Sequence, residues 1–365
     1  MNVFVEFALW FLLAEALVTL AGLPLRKKQL KAAFRIALIA GKALLAVLFA
    51  FLTMAGPVQL RAVQPLMTAL YAALLMDALA DAVCSAVAAI RKKERRFVAV
   101  RVAGLVLGAL FVVYGAVNME TVKPEYHTYT SNKLQSEHTV VFIADLHVGS
   151  AQPFSVTEKT VAEVRALHPD ATILGGDIVD DYTTKEEMEA AFRLFADFET
   201  PVYYVYGNHD RQGHAEYAGG RKFTPEELEK ALEDNGIVLL RDSYVEVAPD
   251  LLILGREDLS EGDGRADIAA LTNPAPEKYL IVADHQPNAF KDNLTAGADL
   301  QLSGHTHAGQ LFPLGLLYPL IGYCRGDYAE GNAVMNVSPG ACGWRFPMRT
   351  EAGCYYEVIT LRPAA

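Results

Sequence analysis

Residues 140–147 read V-V-F-I-A-D-L-H, an apolar run that stops abruptly at two side chains able to hold a metal ion, Asp145 and His147. Four later stretches repeat the order of apolar strand first and donor second. They are I-L-G-G-D-I-V-D at 173–180 with Asp177, Y-Y-V-Y-G-N-H-D at 203–210 with Asn208 and His209, L-I-V-A-D-H at 280–285 with His285, and L-Q-L-S-G-H-T-H at 300–307 with His305 and His307. Short apolar runs closed by turn residues are the pattern of buried strands. Five strand ends are therefore predicted to converge on one site.

The segments between these runs fit helices and further strands. Val156, Val161, Val164 and Leu167 place one apolar face on a helix over 155–167, and a second helix is predicted over 185–198. Thr224-Pro-Glu-Glu227 combines an N-cap, a proline at the first helical position and a capping-box acid, and the helix it starts should stop at Asn235-Gly236. Strands are predicted at 237–240, 244–247, 251–254, 279–283, 300–302, 333–337 and 355–361. Helices thin out toward the C-terminus, which predicts two sheets packed face to face with helices outside, a four-layered αββα sandwich over residues 139–365.

Upstream the chain changes character. Of the 32 Lys and Arg, 13 fall in residues 1–117, against 5 of the 43 Asp and Glu, leaving 19 against 38 for the remainder. The first part is basic and oily, the second acidic; the overall mean hydropathy of +0.19 is high for a wholly soluble enzyme. Four apolar stretches, 3–23, 36–54, 65–90 and 98–117, approach the length that crosses about 30 Å of hydrocarbon. They predict an all-α anchor of four transmembrane helices over 1–117. The basic runs at 26–35 and 91–96 adjoin these helices, whereas the connection between the second and third offers only Arg61. Positive charge marks the cytoplasmic side, so everything after residue 117 is predicted to lie outside. Residues 118–138, polar and aperiodic, read as a linker that includes at most an edge strand.

Glu6, Glu15, Lys42, Asp77, Asp81 and Arg101 interrupt the apolar stretches, and charges at such depth face a partner, water or the bundle interior. Asp77 and Asp81 share one helix face, with Lys42 and Arg101 available as counter-charges. The four cysteines have no zinc-finger spacing; buried free thiols are the expectation, with a Cys342–Cys354 bridge as the alternative.

The donor set Asp145, His147, Asp177, Asn208, His285, His305 and His307 mixes oxygen and nitrogen, which suits Mn, Fe or Zn ions better than calcium or a thiolate zinc site. Seven donors allow one carboxylate to bridge two ions about 3.5–4 Å apart, an arrangement fit for metal-assisted hydrolysis of a phosphoester.

Taken together, D-L-H, G-D-I-V-D, G-N-H-D, the lone His285 and G-H-T-H-A-G-Q resemble the calcineurin-like metallophosphoesterases, and the last motif is most similar to their membrane-associated bacterial branch. The resemblance covers residues 139–361. It implies one ion held by Asp145, His147, Asp177 and His307, and a second by Asp177, Asn208, His285 and His305, with Asp177 as the bridge. It further implies that His209 contacts phosphate and assists the leaving group, that Asp210 holds that imidazole in orientation, and that N-V-S-P-G at 336–340 and an arginine, Arg345 or Arg349, complete the pattern. His127, His138, His168 and His214 fall outside the motifs.

The sequence thus predicts a multi-pass membrane protein with an extracytoplasmic two-metal phosphoesterase domain acting on a lipid-linked or other extracytoplasmic phosphoester. The alternative is a membrane sensor or scaffold with a non-hydrolytic domain, which should have lost donors. Nucleic acid is excluded as a partner, because an acidic domain gives a polyanion no long-range attraction.

Overall fold

The computed structural model describes residues 3–23, 31–55, 63–93, 96–320, 322–344 and 346–364. Most of the first basic run, Arg61 and Arg345 lie outside the described residues. The chain divides into two compact units: residues 1–117 with 311–316 and 347–351, and residues 118–310 with 317–346 and 352–365.

The first unit contains helices α1 (Val3–Gly22), α2 (Ala32–Ala55), α3 (Gln64–Ile90) and the greater part of α4 (Phe97–Met119). Among the described residues three of them, α2, α3 and α4, are long and apolar enough to cross a membrane; in α1 the described side chains begin only at Phe7. The side chain of Glu6 lies outside the described residues; the other five interrupting charges pair with one another. Lys42 Nζ lies 2.7 Å from Asp77 and 3.0 Å from Asp81, while Arg101 contacts Asp77 and sits 2.6 Å from Glu15. In an apolar setting paired charges avoid most of the cost of isolated ones, so the internal counter-charge arrangement is the one adopted.

The second unit runs β1 (Val122–Ser131), β2 (His138–Ile143), α5 (Phe154–Ala166), β3 (Ala171–Leu174), α6 (Lys185–Arg193), β4 (Val202–Tyr204), α7 (Pro225–Asp234), β5 (Ile237–Leu239), β6 (Ser243–Ala248), β7 (Leu251–Gly255), β8 (Tyr279–Ala283), α8 (Phe290–Leu294), β9 (Leu300–Ser303), β10 (Gly326–Glu330), β11 (Ala333–Val337) and β12 (Cys354–Pro363). One six-stranded sheet has the order β1-β12-β2-β3-β4-β5 and the other β10-β11-β9-β8-β7-β6. Each has four parallel strands, β2 to β5 in the first and β7, β8, β9 and β11 in the second; the second has antiparallel pairings at both edges, and in the first the parallel pair β1–β12 joins β2 antiparallel through β12.

Alternate side chains of the same strands serve two cores, as the two-residue period of a strand requires. Val140, Phe142, Ile173, Tyr203 and Val205 join Ile253, Ile281, Leu300 and Leu302 of the other sheet in one buried cluster. Val141, Ile143, Leu174, Val202 and Tyr204 point the other way, against Val161 and Val164 of α5, Met188 and Phe192 of α6, and Leu228 and Leu232 of α7.

Both acidic helices carry capping boxes, Thr184 with Glu187 on α6 and Thr224 with Glu227 on α7. Helix α6 ends at Arg193 rather than at 198, because the amides of Leu194, Phe195, Ala196 and Phe198 turn to carbonyls three residues back. The polar stretch 118–138 holds the ten-residue strand β1, paired in parallel with β12 over its whole length. Strand β10, not foreseen from the sequence, forms a hairpin with β11. All four cysteines are free thiols; Cys342 and Cys354 are buried in one cluster with Met119.

Candidate metal centre

The candidate donors follow the carboxyl ends of parallel strands: Asp145 after β2, Asp177 after β3, Asn208 and His209 after β4, His285 after β8, and His305 and His307 after β9. At such ends the chain must leave the sheet, which is where α/β sheets gather ligands. Backbone bonds lace these exits together: Asp145 N donates to Gly176 O, His147 N to Asp177 O, and Gly304 N to His285 O.

Five of the donors, Asp145, His147, Asp177, His305 and His307, have φ between 42° and 69°. Left-handed backbone is uncommon for residues other than glycine and costs about 1–3 kcal/mol each where it is held in strain, so its concentration here marks a site over-determined by its surroundings. Of Gly176, Gly207 and Gly304, only Gly176 has positive φ. The other two are glycine because of crowding: a Cβ on Gly207 would collide with the Asp177 carboxylate, and one on Gly304 with that of Asp145.

The donors form two groups that share Asp177. Asp145, His147, Asp177 and His307, all buried, offer ligand atoms within 4.8 Å of one another, as do Asp177, His285 and His305. In the first group His147 Nε2 and His307 Nε2 face each other at 3.1 Å, with Asp145 Oδ1 3.4 Å from His307 Nε2 and Asp177 Oδ2 3.8 Å from His147 Nε2. In the second, His285 Nε2 lies 3.1 Å from Asp177 Oδ2. Asn208 Oδ1 is buried and receives no hydrogen bond from the described residues. Two imidazole nitrogens pointed at each other and an orphaned buried amide oxygen are satisfied by cations, so these residues fit a pair of divalent ions.

Outer carboxylates and carbonyls orient the imidazoles. His147 Nδ1 is 3.2 Å from Asp180 Oδ2, and His285 Nδ1 is 2.9 Å from Gly175 O. Each leaves Nε2 as the inward atom, as in the carboxylate–histidine–metal relay. His209 departs from the expected arrangement. Its Nδ1 sits 2.8 Å from Asp181 Oδ2, while Asp210 accepts hydrogen bonds from the backbone amides of Asp177, Val179 and Gly207. Asp210 therefore shapes the loop that carries Asp177, and Asp181 is the ring partner. Neither Asp180 nor Asp181 was singled out from the sequence; the signal available was the continuation of G-D-I-V-D into a second aspartate.

The electrostatics follow from this crowding. Burial raises Asp145 to about 6, with the Asp177 charge adding to it. Burial would do the same to Asp177, but His285, His209 and His147 overcome it and hold that carboxyl well below its ordinary value. Burial alone would lower His147, yet Asp180, Asp177 and Asp145 raise it to about 9. His305, half-buried, is pushed down to about 4 by desolvation and by the charge of His285. Both His147 and His285 are raised by the surrounding carboxylates and must be neutral to ligate, so a cation competes with their protons.

Further contacts finish the site. Trp344 lies over His209, ring centroids 5.6 Å apart, and exposed His214 meets the same ring edge-on at 5.9 Å. Trp344 is fixed by Gln310, the glutamine of G-H-T-H-A-G-Q, which bonds both its amide and its carbonyl. The turn after N-V-S-P-G closes on the first donor loop through Ala341 N to Ala144 O and Cys342 N to Asp145 O. Of the two arginine candidates, Arg349 is fully buried and belongs to the helical unit.

Residues 138–309 match the calcineurin-like phosphoesterase family. The chain is 28% identical over 285 residues to a zebrafish (Danio rerio) transmembrane protein with metallophosphoesterase domain, covering 72% of this chain and 63% of that protein. It is 29% identical over 237 residues to an uncharacterized metallophosphoesterase of Helicobacter pylori, covering 64% and 62%. Against the uncharacterized metallophosphoesterase YkuE of Bacillus subtilis the figures are 25% over 298 residues, 74% and 98%. The chain thus spans less than two thirds of the length of the first two relatives. The phosphoesterase match covers every strand end that carries a donor, and the donor cluster itself is metal-binding in type.

Proposed function

We propose that this chain is a membrane-anchored, two-metal phosphoester hydrolase, with Asp145, His147, Asp177 and His307 holding one ion and Asp177, Asn208, His285 and His305 the other. The observation that carries the reading is the sharing of Asp177 between two donor groups at the ends of parallel strands. Bound divalent ions supply a nucleophile at neutral pH and neutralise charge on the transferring phosphoryl group. The chain's own residues do the rest. His209, held by Asp181 and capped by Trp344, presents Nε2 to the leaving-group oxygen as proton donor, and its charge offsets the charge building on phosphate. Burial and the carboxylates of Asp177 and Asp181 set its basicity: burial lowers it, and the two acids outweigh burial and raise the ring above its ordinary value.

In this reading α1 to α4 each cross the membrane, the second unit is an αββα sandwich of the phosphoesterase type, and the basic runs keep both helix connections cytoplasmic, so catalysis is extracytoplasmic. A domain tethered there meets lipid-linked phosphates at head-group depth. The complete donor set and His209 weigh against a non-hydrolytic sensor. Incubating the purified Mn-loaded protein with a total lipid extract should release a phosphorylated head group or inorganic phosphate. No product from lipids, together with turnover of soluble phosphodiesters, would refute the lipid substrate and leave the hydrolase.

A further inference from the structure

A third group of metal-type donors sits apart from Asp177 and its partners, on the adjacent strands β1 and β12. Glu125 and His127 are two residues apart on β1, hence on one face, and Glu125 stands opposite Glu357 in the register. His127 Nε2 is 2.8 Å from Glu357 Oε2, and donor atoms of the three residues lie within 4.8 Å of one another. Two ligands held at about 2.1 Å by one ion in octahedral geometry stand about 3 Å apart, close to the His127–Glu357 separation.

Glu357 is 1% exposed, and its other carboxylate oxygen, Oε1, has no hydrogen-bond partner among the described residues. A buried carboxylate that leaves an oxygen unsatisfied is costly unless a cation takes it. The surroundings add negative charge. Asp327, fixed by Tyr129 Oη and Asn336 Nδ2, acts on both Glu125 and His127. Asn336 Oδ1, also buried, is a second oxygen without a partner among the described residues. Three carboxylates thus face Arg325 and a single imidazole.

We propose that Glu125, His127 and Glu357 form a third divalent-metal site, for Zn or Mn, independent of the binuclear pair. One nitrogen and two carboxylates suit those ions. Its ion fastens β1, an edge strand with a single neighbour in its sheet, to the C-terminal strand β12. The role is structural, so hydrolysis does not depend on it directly.

Elemental analysis of the purified full chain after desalting tests this. His127→Gln and Glu125→Gln should each hold one ion per chain fewer than wild type, hydrolyse at rates within about twofold of it, and melt at lower temperature. Asp177→Ala should keep one ion, which the added His127→Gln removes. Folded, active His127→Gln and Glu125→Gln proteins with wild-type metal content would overturn the proposal and leave His127–Glu357 as a plain ion pair.

Discussion

Asp181 Oδ2 stands 2.8 Å from His209 Nδ1, so the acid that governs the candidate proton donor comes from the loop after β3 and not from the neighbouring Asp210. Because the same carboxylate also accepts from the His214 amide through Oδ1, it is itself held in place. Asp181→Asn should lower kcat by about 10–100-fold. It should also move the basic limb of the kcat–pH profile to lower pH, since Asp181 is one of the charges that raise His209. A rate loss with an unmoved profile would assign Asp181 a purely structural role.

Replacing the imidazole separates chemistry from metal binding. His209→Ala should reduce kcat by about 10²–10⁴-fold with metal content intact. The loss should shrink for a nitrophenyl ester, whose leaving group needs no proton. Equal losses for good and poor leaving groups would show that His209 acts by charge or binding alone.

Metal uptake should be coupled to proton release, because His147 is raised to about 9 and must be neutral to ligate. Calorimetric binding enthalpies should therefore vary with the ionisation enthalpy of the buffer at pH 7; identical enthalpies in all buffers would contradict the coupling. The stability of metal-stripped protein carries the matching sign. A pKa raised on folding contributes stability that is complete below about 6.5 and lost as pH rises through about 9. The Tm of the stripped protein should fall across that window, and added Mn should reverse the fall.

The donors were legible in the sequence because each ends an apolar run, and a strand end is where a chain must leave its sheet. What stayed hidden was which carboxylate reaches which ring. Asp177, Asp180 and Asp181 sit within five residues; Asp180, its Oδ1 held by the amides of Tyr182 and Thr183, meets His147 through Oδ2 while Asp181 reaches across to His209, and that loop path leaves no periodic signal. Strand β1 was obscured for a different reason. Its inward positions are the polar Glu125, His127 and Tyr129, so the alternation that betrays a half-buried strand is one of polar against polar. Trp344 came to the site through Gln310, a contact between residues 34 apart.

The side of the membrane decides which substrates are available. A cysteine at the exposed position Thr130 of β1 should react with an impermeant maleimide on intact cells. Protection until the membrane is permeabilised would reverse the orientation and return intracellular phosphoesters to consideration.

The central claim is that Asp177 bridges two ions, and anomalous diffraction from Mn-loaded crystals measures it directly. Two peaks about 3.5–4 Å apart should flank the Asp177 carboxylate. One should lie among Asp145, His147 and His307, the other among Asn208, His285 and His305. A single peak in that cluster, or none, would contradict the binuclear account.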